Sequence, residues 1–523
     1  MKYITGQDRQ QISIFPVSLD ASIDEDNEVR LIDLFVDSLK MEKLGFRINH
    51  IENGRPAYHP KDLLKLYIYG YLNRIRSSRE LEKECRRNIE VMWLLKGLAP
   101  DHNTISNFRR DNPKAIKKVF RSTVKMAKDF DLIGGSLIAG DSTKLRAQNS
   151  KKNNFNEKKI ARHLDYIEHK LDEYNEALSK ADGDQEKEKI QDEIDKHNKR
   201  KSDYQDLDKQ LKESDEVQIS TSDPESRQMI TRNNITEVAY NIQSTVDAKN
   251  NIPIDYKVTN TNDSKAMGNM LQRAKTILGS NEFTALYDKG YHTGSEFKLA
   301  DDLGIEVMVA IPTVAAQAPN PAYNVDQFEY DDAGDYYICP QGNHLTTSGT
   351  WHQAKTYQFK RYTTKACLQC TVKPDCSKAK YGKGIQRSEY TEYINNNKER
   401  IERNKDYYRR RQAIVEHPYG TIKRQWGFHY IITKKYKLRA ESDAGLMFTS
   451  YNLRRMINLL DKNELKNYLI ALAQMFLLII DSILLQIKRY KALVFFTKKS
   501  SLFSNLSLKS LIFGQIFGFS CGF

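Results

Sequence analysis

The sequence predicts a mixed α/β protein preceded by a helical domain, and three observations predict it. Two short apolar runs, "GGSLIAGD" and "EFTALYD", each end in an acid and alternate with helical patterns such as "SKAMGNMLQRAKTIL". The stretch from 56 to 112 is patterned as a compact group of helices. A chain of 523 residues also exceeds the size at which one hydrophobic core stops growing, so two or more folding units are expected. The expected layout is a helical domain over 1–130, an α/β domain over 131–465, and an apolar helix and tail over 466–523. A helical hairpin at 152–215 and a cysteine-bearing, β-rich segment at 313–400 interrupt the α/β domain.

Charged residues make up 29% and aromatics 10%, as in a folded soluble protein. The formal net charge of +14 favours a polyanionic partner, nucleic acid first, because cationic side chains that neutralise phosphates release counterions. A solvated basic surface is the bland alternative. Six cysteines in so long a chain exclude a disulfide scaffold, and "MKYITGQDRQ" has no apolar signal core, so a reducing cytoplasm is expected. The run "YLIALAQMFLLII", residues 468–480, is shorter than the roughly 20 residues a membrane span takes. It reads as a buried helix, and no stable membrane association is expected.

In chain order, Pro60 suits the first turn of a helix whose apolar positions wrap most of its surface. Ser77 and Glu80 have the spacing of a capping box for the next helix, and Asn103 can cap a third. Arg74, Arg76, Arg79, Arg86, Arg87, Arg109 and Arg110 lie among these helices, either to dock on DNA phosphates or as the solvated face of an ordinary bundle. A strand then ends at Asp141. Leu164, Ile167, Leu171, Tyr174 and Leu178 recur at spacings of three and four, and "KADGDQ" turns the chain back, which predicts a self-packing helical hairpin. Two strands follow, turning at Lys249–Asn251, then a helix, the strand ending at Asp288, another helix and the strand "IEVMVAIP".

Ligand sites in open α/β sheets form at the carboxyl ends of strands. Acids at the ends of two strands, with a third on the later helix "IVEHPYGTIKRQWGF", can converge there. Gathered carboxylates repel one another unless divalent cations neutralise them, and magnesium accepts a few while keeping places for phosphate and water. At these residues the chain resembles the DDE-type bacterial insertion-sequence transposases. "GRPAYHPKDLLKLYIYGYLNRIRSSRELE" resembles their helical N-terminal domain, and "AGDSTKLRAQNS", "YDKGY" and "VEHPYGTIKRQWGF" resemble their two aspartate blocks and their glutamate block.

The resemblance implies a ribonuclease-H-like catalytic domain and a catalytic, metal-binding triad of Asp141, Asp288 and Glu416. The cofactor would be Mg2+, with Mn2+ able to substitute. The implied activity is cleavage at terminal inverted repeats by metal-dependent hydrolysis, followed by attack of the freed 3′-OH on target DNA. A homodimer on paired ends and a nucleoid location are implied as well. The other classes to weigh are a catalytically inactive DNA-binding protein or repressor derived from a transposase, and a nuclease that cuts without joining.

The glutamate block departs from the related pattern of tyrosine, arginine, glutamate and lysine. Glu416 and Lys423 keep their mutual spacing, while Tyr408 and Arg411 sit one residue early, about 100° around an ideal helix. Pro418 would kink the helix or mark its first turn, and a local bulge would reconcile the register. Arg411 and Lys423 are assigned to DNA phosphates, as are Lys144, Arg146 and Lys289, for which solvated surface is the alternative. Turn and N-cap duties explain Asp223 and Asp263, Asp247 sits in the hairpin turn, and neither these nor Asp255 are expected to hold metal.

Cys339, Cys367, Cys370 and Cys376 cluster in the irregular segment. Their spacing suits a structural Zn2+ site, with His344 as a substitute ligand and reduced buried thiols as the alternative. Trp351, Tyr357, Phe359 and Tyr362 either line DNA or form the core of that segment, with core preferred.

Overall fold

A computed structural model describes residues 18–48, 57–214, 216–231, 234–313 and 318–474. As far as their residues are described, there are two compact units: Met1–Asp24 with Met41–Leu459, and Glu25–Lys40 with Leu460–Phe523. The second unit contains the helix Glu28–Ser38, capped by Asn27 and burying Val29, Leu31, Ile32, Phe35 and Val36. A later helix in it buries Leu465 and Leu469. The apolar run is described only as far as 474, and the rest of it, with the tail, lies outside the described residues. No helix among the described residues is long and apolar enough to cross a membrane.

The first unit begins with helices α1 (Pro60–Leu72), α2 (Ser78–Arg87), α3 (Ile89–Leu94), α4 (His102–Asp111) and α5 (Pro113–Asp129). Helix α1 is buried almost all round, from Leu63 to Leu72. Two cap expectations fail. Ser77 is the N-cap of α2 without a side-chain bond, and Glu80 pairs with Lys83 and Arg87 instead of closing a capping box. Asp101, not Asn103, caps α4, its carboxylate accepting from the amides of Asn103 and Thr104.

Strands β1 (Leu137–Arg146), β2 (Arg227–Ile230), β3 (Thr236–Asp247), β4 (Ile252–Thr259), β5 (Thr284–Tyr287) and β6 (Glu306–Val309) form one mixed sheet. β1 pairs antiparallel with β3 on one side and parallel with β5 on the other, and β6 continues the parallel side. β2 and β4 both pair antiparallel with β3. Helices α8 (Met267–Leu278) and α9 (Gly294–Asp302) connect the parallel strands. Between β1 and β2, α6 (Glu157–Lys180) and α7 (Asp184–Glu213) pack on each other. Phe155 and Ile160 meet Leu211 at one end, and Ile167 and Leu171 meet Ile194 further along.

After β6 come two three-stranded sheets. The first is β7 (Glu329–Asp331), β8 (Tyr336–Ile338) and β9 (His344–Thr346); the second is β10 (His352–Gln353), β11 (Gln358–Tyr362) and β12 (Ile385–Ser388). They share a core of Phe328, Tyr337, Leu345, Tyr362 and Ile385. The aromatics of this segment divide: Tyr362 is core, while Trp351 and Tyr357 are exposed. Helices α10 (Thr391–Arg403) and α11 (Lys405–Tyr419) return to the main sheet, and α12 (Lys437–Leu459) is buried along most of its length.

Helix α12 ties the N-terminal helices to the sheet by packing on α5, α1 and β4. At its centre Asp443, fully buried, accepts from the Tyr71 hydroxyl, the Ile432 amide at 2.8 Å and Arg76 at 3.4 Å. Arg76 also lies over the rings of Phe428 and Tyr430 at 4.2 and 4.6 Å, and the buried Arg109 donates to Tyr71 and to the Arg76 carbonyl. Arg76 and Arg109 are therefore internal struts, which corrects their assignment to DNA or solvent. A carboxylate buried among such donors is destabilising to remove, because the guanidinium left behind is an uncompensated buried charge. Asp443→Ala should lower stability by about 3–5 kcal/mol, read as a lower urea midpoint, and an unchanged midpoint would show that this hub holds nothing together.

Candidate active site

β1 continues five residues beyond Asp141, because residues 142–146 still have antiparallel partners on β3. Asp141 is therefore inside a strand and not at its end. On the parallel side, however, β5 stops at Tyr287. Leu137, Ile138 and Ala139 pair with Thr284, Ala285 and Leu286, and the same register carried two residues further sets Asp141 opposite Asp288. Neighbouring strands lie about 4.8 Å apart, so the two acids share one notch in the sheet. Gly140 is needed next to it: a Cβ there would lie 2.0 Å from the Tyr287 ring. Asp288 also serves as a turn residue, its Oδ1 accepting from the Gly290 amide at 2.8 Å.

A third acid stands beside this pair. A Cβ on Gly290 would lie 3.0 Å from Asp288 Oδ1 and 3.5 Å from Asp263 Oδ2, so both carboxylates border the same glycine. Asp263 does not cap α8. Its Oδ1 accepts from the side chains of Asn241 and Gln243 on β3, each at 2.7 Å, and its Oδ2 faces Lys144 at 3.9 Å. Local reading missed it because those partners lie about twenty residues back along the chain. The other acids hold structural posts: Asp247 accepts from the amides of Gly134, Gly135 and Lys249, Asp255 pairs with Arg273, and Asp223 accepts from Tyr240.

Helix α11 lies over the notch, its Ile414 and Val415 packed on Leu137, Ala139, Val246, Leu286 and Met308. Positions 411, 415 and 419 share its inner face. Arg411 reaches Asp141 Oδ2 at 3.3 Å, and the Tyr419 hydroxyl donates to the Asp141 carbonyl at 3.1 Å. The Tyr408 hydroxyl donates to the Tyr287 carbonyl at 2.8 Å. Pro418 lies inside α11, which runs on as a π-helical turn over Gly420–Gln425. That wider turn brings Lys423 Nζ to 2.9 Å from Thr143 Oγ1. Glu416 is not on the inner face: it is exposed and accepts from Gln412 at 2.9 Å. Arg146 pairs with Glu237 at 3.7 Å, and Lys289 is exposed.

Burial pushes the Asp141 carboxyl up to about 6; Arg411 and the Ser142 amide oppose the rise, and Asp288 and Asp263 add to it. The donors are all oxygens and their repulsion is only partly relieved by Arg411, which suits a hard divalent cation. Among the described residues, no three His, Cys, Asp or Glu side chains are gathered to hold a metal ion as they stand. Asp141, Asp288 and Glu416 are thus not a preassembled set. The four cysteines of the β-rich segment line one small cavity, and His344 is turned away, stacked on Tyr336.

Because the folded-state value of Asp141 is raised, the folded protein holds a proton there between about pH 4 and 6 that the unfolded chain releases, and any cation bound by this carboxylate would have to displace it. Mn2+ affinity measured by calorimetry should weaken about tenfold from pH 7 to pH 5. Arg411→Gln should move that transition to higher pH and Asp263→Asn to lower pH. Affinity independent of pH over this range would contradict the assignment.

Two family models match the chain: a transposase domain (DUF772) over residues 17–111 and a transposase DDE domain over residues 338–457. The second covers the cysteine segment and α11 but neither Asp141 nor Asp288. No curated protein and no solved structure matches. Matches to both domains in one chain and in this order support an insertion-sequence DDE transposase.

Proposed function

We propose that the notch formed by Asp141 and Asp288 is the catalytic centre at which this transposase cuts the ends of its element. The observation that carries the reading is the register of β1 and β5, which sets the two carboxylates side by side under α11. The strand order β4-β3-β1-β5-β6, antiparallel on one side and parallel on the other, supports a ribonuclease-H-like fold, as the family resemblance implies.

Asp141 and Asp288 would hold Mg2+, or Mn2+ in its place. Such an ion, when bound, supplies activation of the attacking water and stabilisation of the leaving oxygen. The chain's own groups do the rest. Arg411, which faces Asp141 in the structure, would contact a backbone phosphate where the acids are neutralised, and Lys289, exposed next to Asp288, would meet the same strand. Lys423 and Thr143 fix the end of α11 against β1. Lys144 balances Asp263. Arg146 lines an open groove of about 460 Å³ with Gln148, Asn149 and Lys151, a surface suited to the DNA backbone. The freed 3′-OH then attacks target DNA at the same carboxylates, on paired ends held by two copies of the protein.

The third carboxylate is Glu416, which has to leave Gln412 to reach the notch. The proximity of Asp263 to Asp288 favours a second reading, in which Asp263 completes the set. Magnesium-dependent cleavage of DNA carrying the element's terminal inverted repeats tests both. Asp288→Asn should lower the rate at least about a thousandfold, in the range expected for losing electrostatic stabilisation of the transition state. If Glu416→Gln matches it while Asp263→Asn is mild, Glu416 is the third ligand; the reverse assigns Asp263. Cleavage that survives Asp288→Asn overturns the site. Salt-dependent binding without any cleavage by the unmodified protein would return it to the binding-only class.

A further inference from the structure

We propose that Cys339, Cys367, Cys370 and Cys376 form a structural zinc site that staples the two small sheets of the β-rich segment together. Three separate pieces of chain bring the thiols to one place. Cys339 follows β8 and opens a tight turn, in which the Gly342 amide donates to the Cys339 carbonyl at 2.8 Å and Gly342 takes a φ of 75°. Cys367 lies in the 3-10 turn Lys365–Leu368, with Cys370 just beyond it. Cys376 ends the helical turn Lys373–Cys376, which is joined to that loop by the Lys373 amide donating to the Cys370 carbonyl. All four are free thiols, and all four line one cavity of about 20 Å³.

The size of the cavity chooses the ligand. One water-sized sphere occupies about 10–15 Å³, so the space suits a single ion. Gly382 closes one side, since a Cβ there would lie 2.2 Å from the Cys367 Cβ. The thiols ring the cavity without meeting at a point, and binding asks rotation of their side chains toward the centre. Four thiolates around one small ion make the tetrahedral set of a closed zinc site, each thiol giving up its proton to solvent.

The segment has a reason to need such a staple. Its core is five buried side chains, with Cys339 and Cys376 packed against them, and beyond one backbone bridge, Thr346–Thr363, the two sheets are joined only through side chains, Lys360 and Tyr362 on Asp335 and Arg387 on Tyr337 among them. Cores of that size rarely suffice alone, and metal ligation in a reducing compartment is one of the usual remedies. His344 takes no part: its ring is stacked on Tyr336 with centroids 4.3 Å apart and does not line the cavity.

The test uses the full chain, purified under reducing conditions without chelator from cells grown with added zinc. Elemental analysis should find about one zinc per chain, and Co2+ exchanged into the protein should give the thiolate charge-transfer and tetrahedral ligand-field bands of a four-sulfur site. Cys370→Ser and Cys376→Ser should each lower zinc content at least about fivefold and speed proteolysis within 313–400, while His344→Ala should leave both unchanged. Substoichiometric zinc with no tetrahedral cobalt spectrum, iron in place of zinc, or full zinc retained by the cysteine variants would overturn the proposal. The cobalt spectrum of the unmodified protein decides the matter even if the variants fail to fold. None of these readouts involves DNA cleavage, so the carboxylate site stands or falls separately.

Discussion

Repulsion between carboxylates that the backbone does not allow to separate is the constraint on which the rest of this site depends. Asp141 belongs to β1, which is bonded on both sides, and Asp288 follows directly from β5, whose register with β1 is set by buried partners on either strand. Neither acid moves away without breaking the ladder. Arg411 answers part of that charge from above, and it comes from a helix fixed by its own apolar face. The result is a buried acid pushed toward neutrality with one cationic side chain on it. A fold ordinarily avoids that arrangement unless something else is meant to bind there.

The same chain deals with buried charge quite differently at its other hub. Asp443 meets Arg76, Tyr71 and the Ile432 amide with no solvent at all, and Arg109 closes the network through Tyr71. Here the carboxylate of Asp443 is met by donors from within the protein, and the effect is to lock α1 and α4 onto α12. The contrast separates a structural ion network, satisfied within the protein, from a functional one left partly unsatisfied. It also removes two arginines from the candidate DNA contacts and leaves residues with solvent exposure, such as Arg146 and Lys289, as the candidates we propose.

What was legible in the sequence follows physical range. That both aspartates follow apolar strand segments of one sheet was readable because a short apolar run is a purely local signal. The extent of β1 was not, because its continuation depends on β3, nearly a hundred residues away. On α11 the helix and the departure from the usual spacing could be read, but not its rotational phase. Pro418 and the π-helical turn after it decide which side chains face the sheet, and they leave Glu416 outward with Lys423 inward. Asp263 resembled a cap because its neighbours in sequence suit one, whereas its partners are on another strand. Arg76 looked like surface because nothing nearby announces Asp443, 367 residues along the chain. Nor could spacing alone choose between four thiols and a histidine, a choice that depends on where the His344 ring points.

The central claim is that Asp141 and Asp288 are held together for a divalent cation. Crystals of the protein soaked in Mn2+ and measured at the manganese absorption edge test it most directly. The account predicts an anomalous peak between the carboxylates of Asp141 and Asp288, with Arg411 drawn off Asp141. A well-ordered notch with Arg411 still on Asp141, and manganese absent or bound elsewhere, would contradict it.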